Sequence, residues 1–179
     1  SLHFINGSWN WNGKLFGLAC GVILYFLFRR QFADNNFFTL RQNKEGLRSA
    51  LKVAIGLLSV YVLAGLLGEK EFDTETLLFQ ISMPGIDEEV MSRGVLLGLM
   101  CSTLREGGKP SLNPAIIING IWFGLVHSLS FQSGEVVFSV ASFIVTGLVG
   151  YALAYIALRS RSILIPMLTH NLCNFCNNL

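Results

Sequence analysis

The sequence predicts an all-α, polytopic membrane helical bundle of about six transmembrane helices, with one short re-entrant or interfacial segment, on three observations. Charged residues are 13% of the 179, about half the share of a soluble globular domain. Apolar residues are 52%, with 14 Phe against 4 Pro, and the mean hydropathy is +0.54. The uncharged residues also fall in several runs of spanning length. This balance excludes disorder, which needs low hydrophobicity and high net charge. It leaves too few charges to cover a soluble enzyme. A net charge of only +2, with no Lys/Arg cluster interleaved with aromatics, excludes nucleic acid as a partner.

A span needs about 20 mostly apolar residues. The first covers 15–28; Trp9 and Trp11 before it mark an aromatic belt, and Arg29-Arg30 after it mark a cytoplasmic stop. The second, 53–68, extends back to Ser49 because Lys52 can snorkel to the interface. Residues 76–82 are apolar but short, and Met83-Pro84-Gly85 should stop them. They read as the re-entrant or interfacial piece, with a break at Pro84-Gly85 and a third long helix over 86–104. A fourth span begins near Asn113, a fifth fills 136–158 and a sixth 162–179, none holding Asp, Glu, Lys or Arg apart from any at their ends. The whole of 1–179 reads as one integral membrane domain. Residues 1–74 supply two spans and their loops, and 75–179 the core that carries the chemistry. Cys20, Cys101, Cys173 and Cys176 all sit in apolar runs, where a thiol is a small hydrophobe, so no disulfide framework is expected.

Charges between spans set the orientation. Arg29, Arg30, Arg41, Lys44, Arg48, Lys52, Arg105, Lys109, Arg159 and Arg161 fall on one side, Lys14 and Lys70 on the other, and Arg93 within the membrane. The positive-inside rule then places both chain ends outside and the basic stretch against anionic lipid heads. Gly17xxxGly21, Gly94xxxGly98 and Gly120xxxGly124 each put two glycines on one helix face, which allows close approach of a neighbour.

Ionisable groups inside a membrane cost about 2.5–3.5 kcal/mol each on insertion scales, so they are functional candidates by default. Here they form three groups: Glu88, Glu89 and Arg93; His127; and His170 with Asn174. The alternating direction of the spans brings all three to similar depth, at the end away from the basic loops. Glu89 and Arg93 are i,i+4 neighbours and can pair. Glu88 is rotated about 100° from Glu89 and lacks that partner, which makes it the carboxylate to aim at a reacting water. His170 and Asn174 also share a stripe, as do Gly120, Phe123, Gly124 and His127.

In order, Glu88-Glu89-xxx-Arg93, Phe123-xxx-His127 and His170-xxx-Asn174 match EExxxR, FxxxH and HxxxN. They resemble the motifs of the CPBP intramembrane proteases, a family that includes type II CAAX prenyl endopeptidases and bacterial proteins of bacteriocin processing or self-immunity. The resemblance covers about 75–179. It implies an endopeptidase in a bacterial cell membrane that cuts a peptide or a prenylated, membrane-associated protein near the membrane surface. In that chemistry Glu88, helped by His127, deprotonates a water, and His170 and Asn174 stabilise the oxyanion. Glu89, Arg93 and Phe123 support them. No cofactor is favoured; a Zn²⁺ site on Glu88, His127 and His170 is the alternative, although HExxH is missing. Two other functions fit the same residues: a non-enzymatic immunity or accessory protein on this scaffold, and a small transporter that relays protons through the buried acids.

Overall fold

The computed structural model describes all residues except 1–4, 6, 69–72, 105–107 and 179. Lys70 and Arg105, two of the charges counted above, therefore lie outside the described residues. The chain forms helices α1 (Trp11–Phe28), α2 (Lys44–Leu67), α3 (Thr74–Glu89), α4 (Leu97–Thr103), α5 (Pro114–Ser128), α6 (Val140–Ser160) and α7 (Leu164–Asn177). One antiparallel hairpin, β1 (Leu129–Gln132) and β2 (Glu135–Phe138), joins α5 to α6. Most helices begin on a side chain that accepts from an otherwise unpaired amide. Asn10 accepts from Gly13, Asn43 from Glu45, Asp73 from Thr76, Asn113 from Ala115 and Ser139 from Ser142.

Helices α1, α2 and α6 are long and apolar enough to cross a membrane. Their outward faces carry exposed Phe16, Ile23, Ile55, Leu63, Ile144 and Leu148, side chains that lipid accommodates and water would not. Helix α6 packs against α2, α5 and α7, while α3 lies between α1 and α7. Leu153 and Ile156 close on Ala50 and Ala54 of α2. Ala154 and Ala157 join Val90, Leu97, Ala115 and Ile116 in the larger core cluster.

Two of the three glycine stripes make close helix contacts. A Cβ on Gly124 would stand 2.7 Å from the Phe143 carbonyl of α6. One on Gly21 would stand 2.8 Å from Val90 Cγ1, and one on Gly17 would collide with the Asp87 carboxylate. The third stripe, Gly94 and Gly98, instead receives the rings of Phe38 and Phe32 from the connection between α1 and α2.

The structure corrects three expectations. Pro84 and Gly85 do not break the chain: α3 runs through them to Glu89. Proline disturbs the local ladder of helix hydrogen bonds, and Asn171 Oδ1 of α7 accepts from the Gly85 N–H at 2.7 Å. A neighbouring side chain of this kind is what lets a membrane helix keep a proline. There is accordingly no re-entrant break between residues 76 and 89. Second, 86–104 is not one uniform helix: residues Val90–Leu96 widen into a π-helical stretch before α4. Third, Val136, Val137 and Phe138 belong to the hairpin, and α6 starts at Val140. Ser133 and Gly134, both at positive φ, make the two-residue turn that matches strand twist.

The two ends of the bundle differ in charge. Asn43, Lys109, Arg159 and Arg161 line one pocket at the end where α2 starts and α6 finishes. At the other end the Glu75 carboxylate takes hydrogen bonds from Ser8, Trp9 and Trp11.

Candidate active site

Consecutive positions on a helix point about 100° apart, so Glu88 and Glu89 leave α3 toward different neighbours. Glu89 turns into the core with its side chain fully buried, and its Oε1 accepts from Arg93 Nη1 at 2.8 Å. The Arg93 side chain is equally buried. Its Nη2 donates to the Gly150 carbonyl of α6 at 2.8 Å, and its guanidinium lies 4.5 Å from the centre of the Phe123 ring. Glu89 Oε1 also receives His170 Nδ1 at 2.9 Å. Glu89, Arg93, Phe123 and His170 thus form one buried network across α3, the π-helical stretch, α5 and α7. Within it, the Glu89–Arg93 pair is the one that i,i+4 spacing predicts.

Glu88 turns toward a cavity of about 450 Å³. Met91, Trp122, Phe123 and Val126 give it apolar walls, and Lys14, Asp87, Glu88 and His127 line it with charge and imidazole. Glu88 Oε2 is buried and has no hydrogen-bond partner among the described residues. It lies 3.4 Å from His127 Nε2 and 4.0 Å from His170 Nε2.

The other nitrogen of each ring is committed. His127 Nδ1 is 2.8 Å from the Phe123 carbonyl, which can only accept, so Nδ1 carries the proton. His170 Nδ1 faces the Glu89 carboxylate in the same way. Each ring thus turns its other nitrogen, Nε2, toward one and the same carboxylate oxygen. Water bound at this point can hydrogen-bond to Glu88 Oε2 and to the imidazole nitrogens.

The structure thus gathers Glu88, His127 and His170 in one place, with Glu89, Arg93 and Phe123 behind them. Asn174 is not joined to them by a side-chain hydrogen bond; it sits one turn beyond His170 on α7, partly buried. The asparagine of α7 that contacts α3 is Asn171.

Three residues escaped the sequence reading. Lys14 of α1 pairs with Glu88 Oε1 at 2.5 Å and Asp87 Oδ2 at 3.2 Å, so Glu88 does have a charged partner. Asn119 of α5, fully buried, donates to the Ser92 carbonyl at 2.8 Å and ties α5 to the π-helical stretch. Asn171 is the third. A signal existed for Asn119, since it lies one turn before Phe123 on the stripe that ends at His127. None existed for the long-range partners of Lys14 and Asn171.

A divalent ion would draw on Glu88, His127 and His170. Among the described residues no group of three His, Cys, Asp or Glu is arranged to hold a metal, and the Lys14 ammonium already occupies one oxygen of the carboxylate. That cation would repel a second.

No curated protein and no solved structure matches the chain. The family described as "Type II CAAX prenyl endopeptidase Rce1-like" matches residues 72–176. That stretch is more than half of the chain, begins just before α3, and holds every motif residue named above. The chain belongs to this family of membrane proteases.

Proposed function

We propose that the protein is an intramembrane endopeptidase that hydrolyses a peptide bond in a membrane-associated peptide or protein, using a water activated by Glu88 and His127. The observation that supports this most directly is Glu88 Oε2, buried, without a hydrogen-bond partner among the described residues and facing the Nε2 atoms of His127 and His170. A carboxylate left in this condition is unfavourable for folding and useful for chemistry.

In the proposed reaction, water sits between Glu88 Oε2 and His127 Nε2 and loses a proton to this pair. Its oxygen attacks the scissile carbonyl, presented from the apolar cavity. His170 and Asn174 steady the oxyanion, His170 entering the cycle with Nε2 already protonated and keeping that proton throughout. The proton taken from water then passes to the departing amine, which completes hydrolysis. Glu89, Arg93 and Phe123 hold the histidines and the helix wall in register. The mechanism needs no metal, and membranes around a multi-pass bundle supply the setting.

The test is cleavage of a prenylated peptide ending in a CAAX sequence by the full chain in proteoliposomes. Cleavage that Glu88→Gln abolishes, and that a zinc chelator leaves intact, is the expected result. No cleavage by the unaltered protein, or full cleavage by Glu88→Gln, overturns the reading. Loss of activity to the chelator with recovery on added Zn²⁺ overturns its metal-free form.

A further inference from the structure

Helices α1 and α2 precede the residues that match the family, yet α1 reaches the reaction centre. Lys14 stands in its first turn, and Gly17 and Gly21 follow at helical spacing on the same stripe. The two glycines let α1 lie against α3 at Asp87 and against the π-helical stretch at Val90. A Cβ at either position would push the helices apart. That close approach brings Lys14 Nζ to 2.5 Å from Glu88 Oε1 and 3.2 Å from Asp87 Oδ2.

A second contact fixes the depth of α1. Glu75, in the first turn of α3, accepts from Ser8 N, Ser8 Oγ, Trp9 N and Trp11 Nε1 at 2.9–3.3 Å. Trp9 and Trp11 also pack their rings on Phe79, with centroids 4.9 and 5.0 Å away. The start of α1 is therefore clasped to the start of α3, and the lysine cannot slide along the membrane normal.

We propose that Lys14, delivered by α1, is a positioning residue of this site: its ammonium holds Glu88 Oε1, so that Oε2 is the oxygen turned to the reacting water. The inference rests on the proposed role of Glu88 and assigns the selection of one oxygen to a helix outside the family match. A carboxylate has two equivalent oxygens and rotates about its last bond. With Oε1 tied to the cation, the other is fixed between His127 Nε2 at 3.4 Å and His170 Nε2 at 4.0 Å. The side chain of Lys14 is 22% exposed and that of Glu88 18%, so the pair is neither sealed in the core nor open to solvent. It sits on the wall of the cavity.

The experiment compares Lys14→Met and Lys14→Arg with the unaltered full chain, in proteoliposomes with the prenylated CAAX peptide, as kcat and KM across pH. Glu88 is faced by Lys14 from α1, His127 from α5 and His170 from α7, with Asp87 beside it. Lys14→Met should lower kcat at least tenfold with KM within twofold, and should displace the low-pH limb of the kcat/KM profile. Lys14→Arg should restore most of kcat and return the limb. A pair that merely anchors α1 would lower activity by one factor at every pH, in proportion to folded protein measured by thermal unfolding; that result overturns the inference. So does an unchanged kcat in Lys14→Met. Full activity of Glu88→Gln instead sinks the function reading, whereas a dead Glu88→Gln beside a fully active Lys14→Met sinks this inference alone.

Discussion

The two sides of α3 put adjacent glutamates to opposite uses. On the core side, Glu89 is sealed from solvent against Arg93, whose guanidinium is also held by the Gly150 carbonyl and the Phe123 ring. On the cavity side, Glu88 meets one ammonium through Oε1 and turns Oε2 to two imidazoles, whereas Glu89 Oε2, equally without a hydrogen-bond partner among the described residues, stays in the core. Both carboxylates touch a histidine, but in different ways. Glu89 binds the Nδ1 of His170 and so orients the ring. Glu88 faces the Nε2 atoms of both rings. The lesson is that neither depth in the membrane nor an unpartnered oxygen separates structural from reactive charge, since Glu89 Oε2 also lacks a partner. What the spare oxygen faces does: a fully buried core for Glu89, and two imidazole Nε2 atoms for Glu88.

Removing each side should therefore fail in a different way. Glu88→Gln keeps size and hydrogen bonding but not basicity, and should lower kcat about 10³-fold, within the range for loss of a general base. Its thermal unfolding midpoint in detergent should stay close to that of the unaltered chain. Arg93→Met strands Glu89 in the core, and breaking a buried pair in this manner costs about 3–5 kcal/mol. It should appear as lost folded protein before any kinetic effect can be read. If Arg93→Met folds normally and Glu88→Gln does not, the assignment of the two sides is reversed.

How much of this contrast the sequence reveals depends on how local each cause is. Helices α1, α2 and α6 are legible because each is a largely uncharged apolar run of spanning length within one stretch of chain. The break expected at Pro84 fails because the group that receives the Gly85 amide, Asn171, lies far along the sequence on another helix. The hairpin escapes because Val136-Val137-Phe138 is as apolar as the helix it precedes, and only Ser139 separates them. At the site, Glu88, His127 and His170 are found through their ionisable character inside spans. Lys14 is missed because a lysine near a span end counts as interfacial until a partner at Glu88 is known.

A narrower contrast lies on α7. Asn171 and Asn174 are three residues apart, about 60° around the helix, yet only Asn171 bonds α3. Asn171→Ala strands the buried Gly85 amide and should destabilise the protein by about 1–3 kcal/mol, read as a lower unfolding midpoint. Asn174→Ala should leave that midpoint unchanged and lower kcat about tenfold, as loss of a weak oxyanion donor. A stability effect from Asn174 together with unchanged kcat would place it among the packing residues.

The smallest effect should come from the clasp that holds α1 at its depth. Hydrogen bonds from the Ser8 amide, the Trp11 indole and the Ser8 hydroxyl keep the Glu75 carboxyl below its usual value. Asp73, which caps α3, is held low by the Thr76 hydroxyl and amide. A carboxyl lowered in the folded state contributes stability that is present above its unfolded value and is lost as pH falls through the folded one. Acidification should therefore release Trp9 and Trp11 from Phe79 and Glu75 before the bundle itself unfolds. Tryptophan emission should shift in an acid transition that Glu75→Gln removes, with helical circular dichroism unchanged across it. Because Lys14 follows Trp11 within one turn, kcat should fall through the same transition. An emission change that persists in Glu75→Gln would belong to Trp122 in the cavity wall, and the clasp would not be what sets the depth of Lys14.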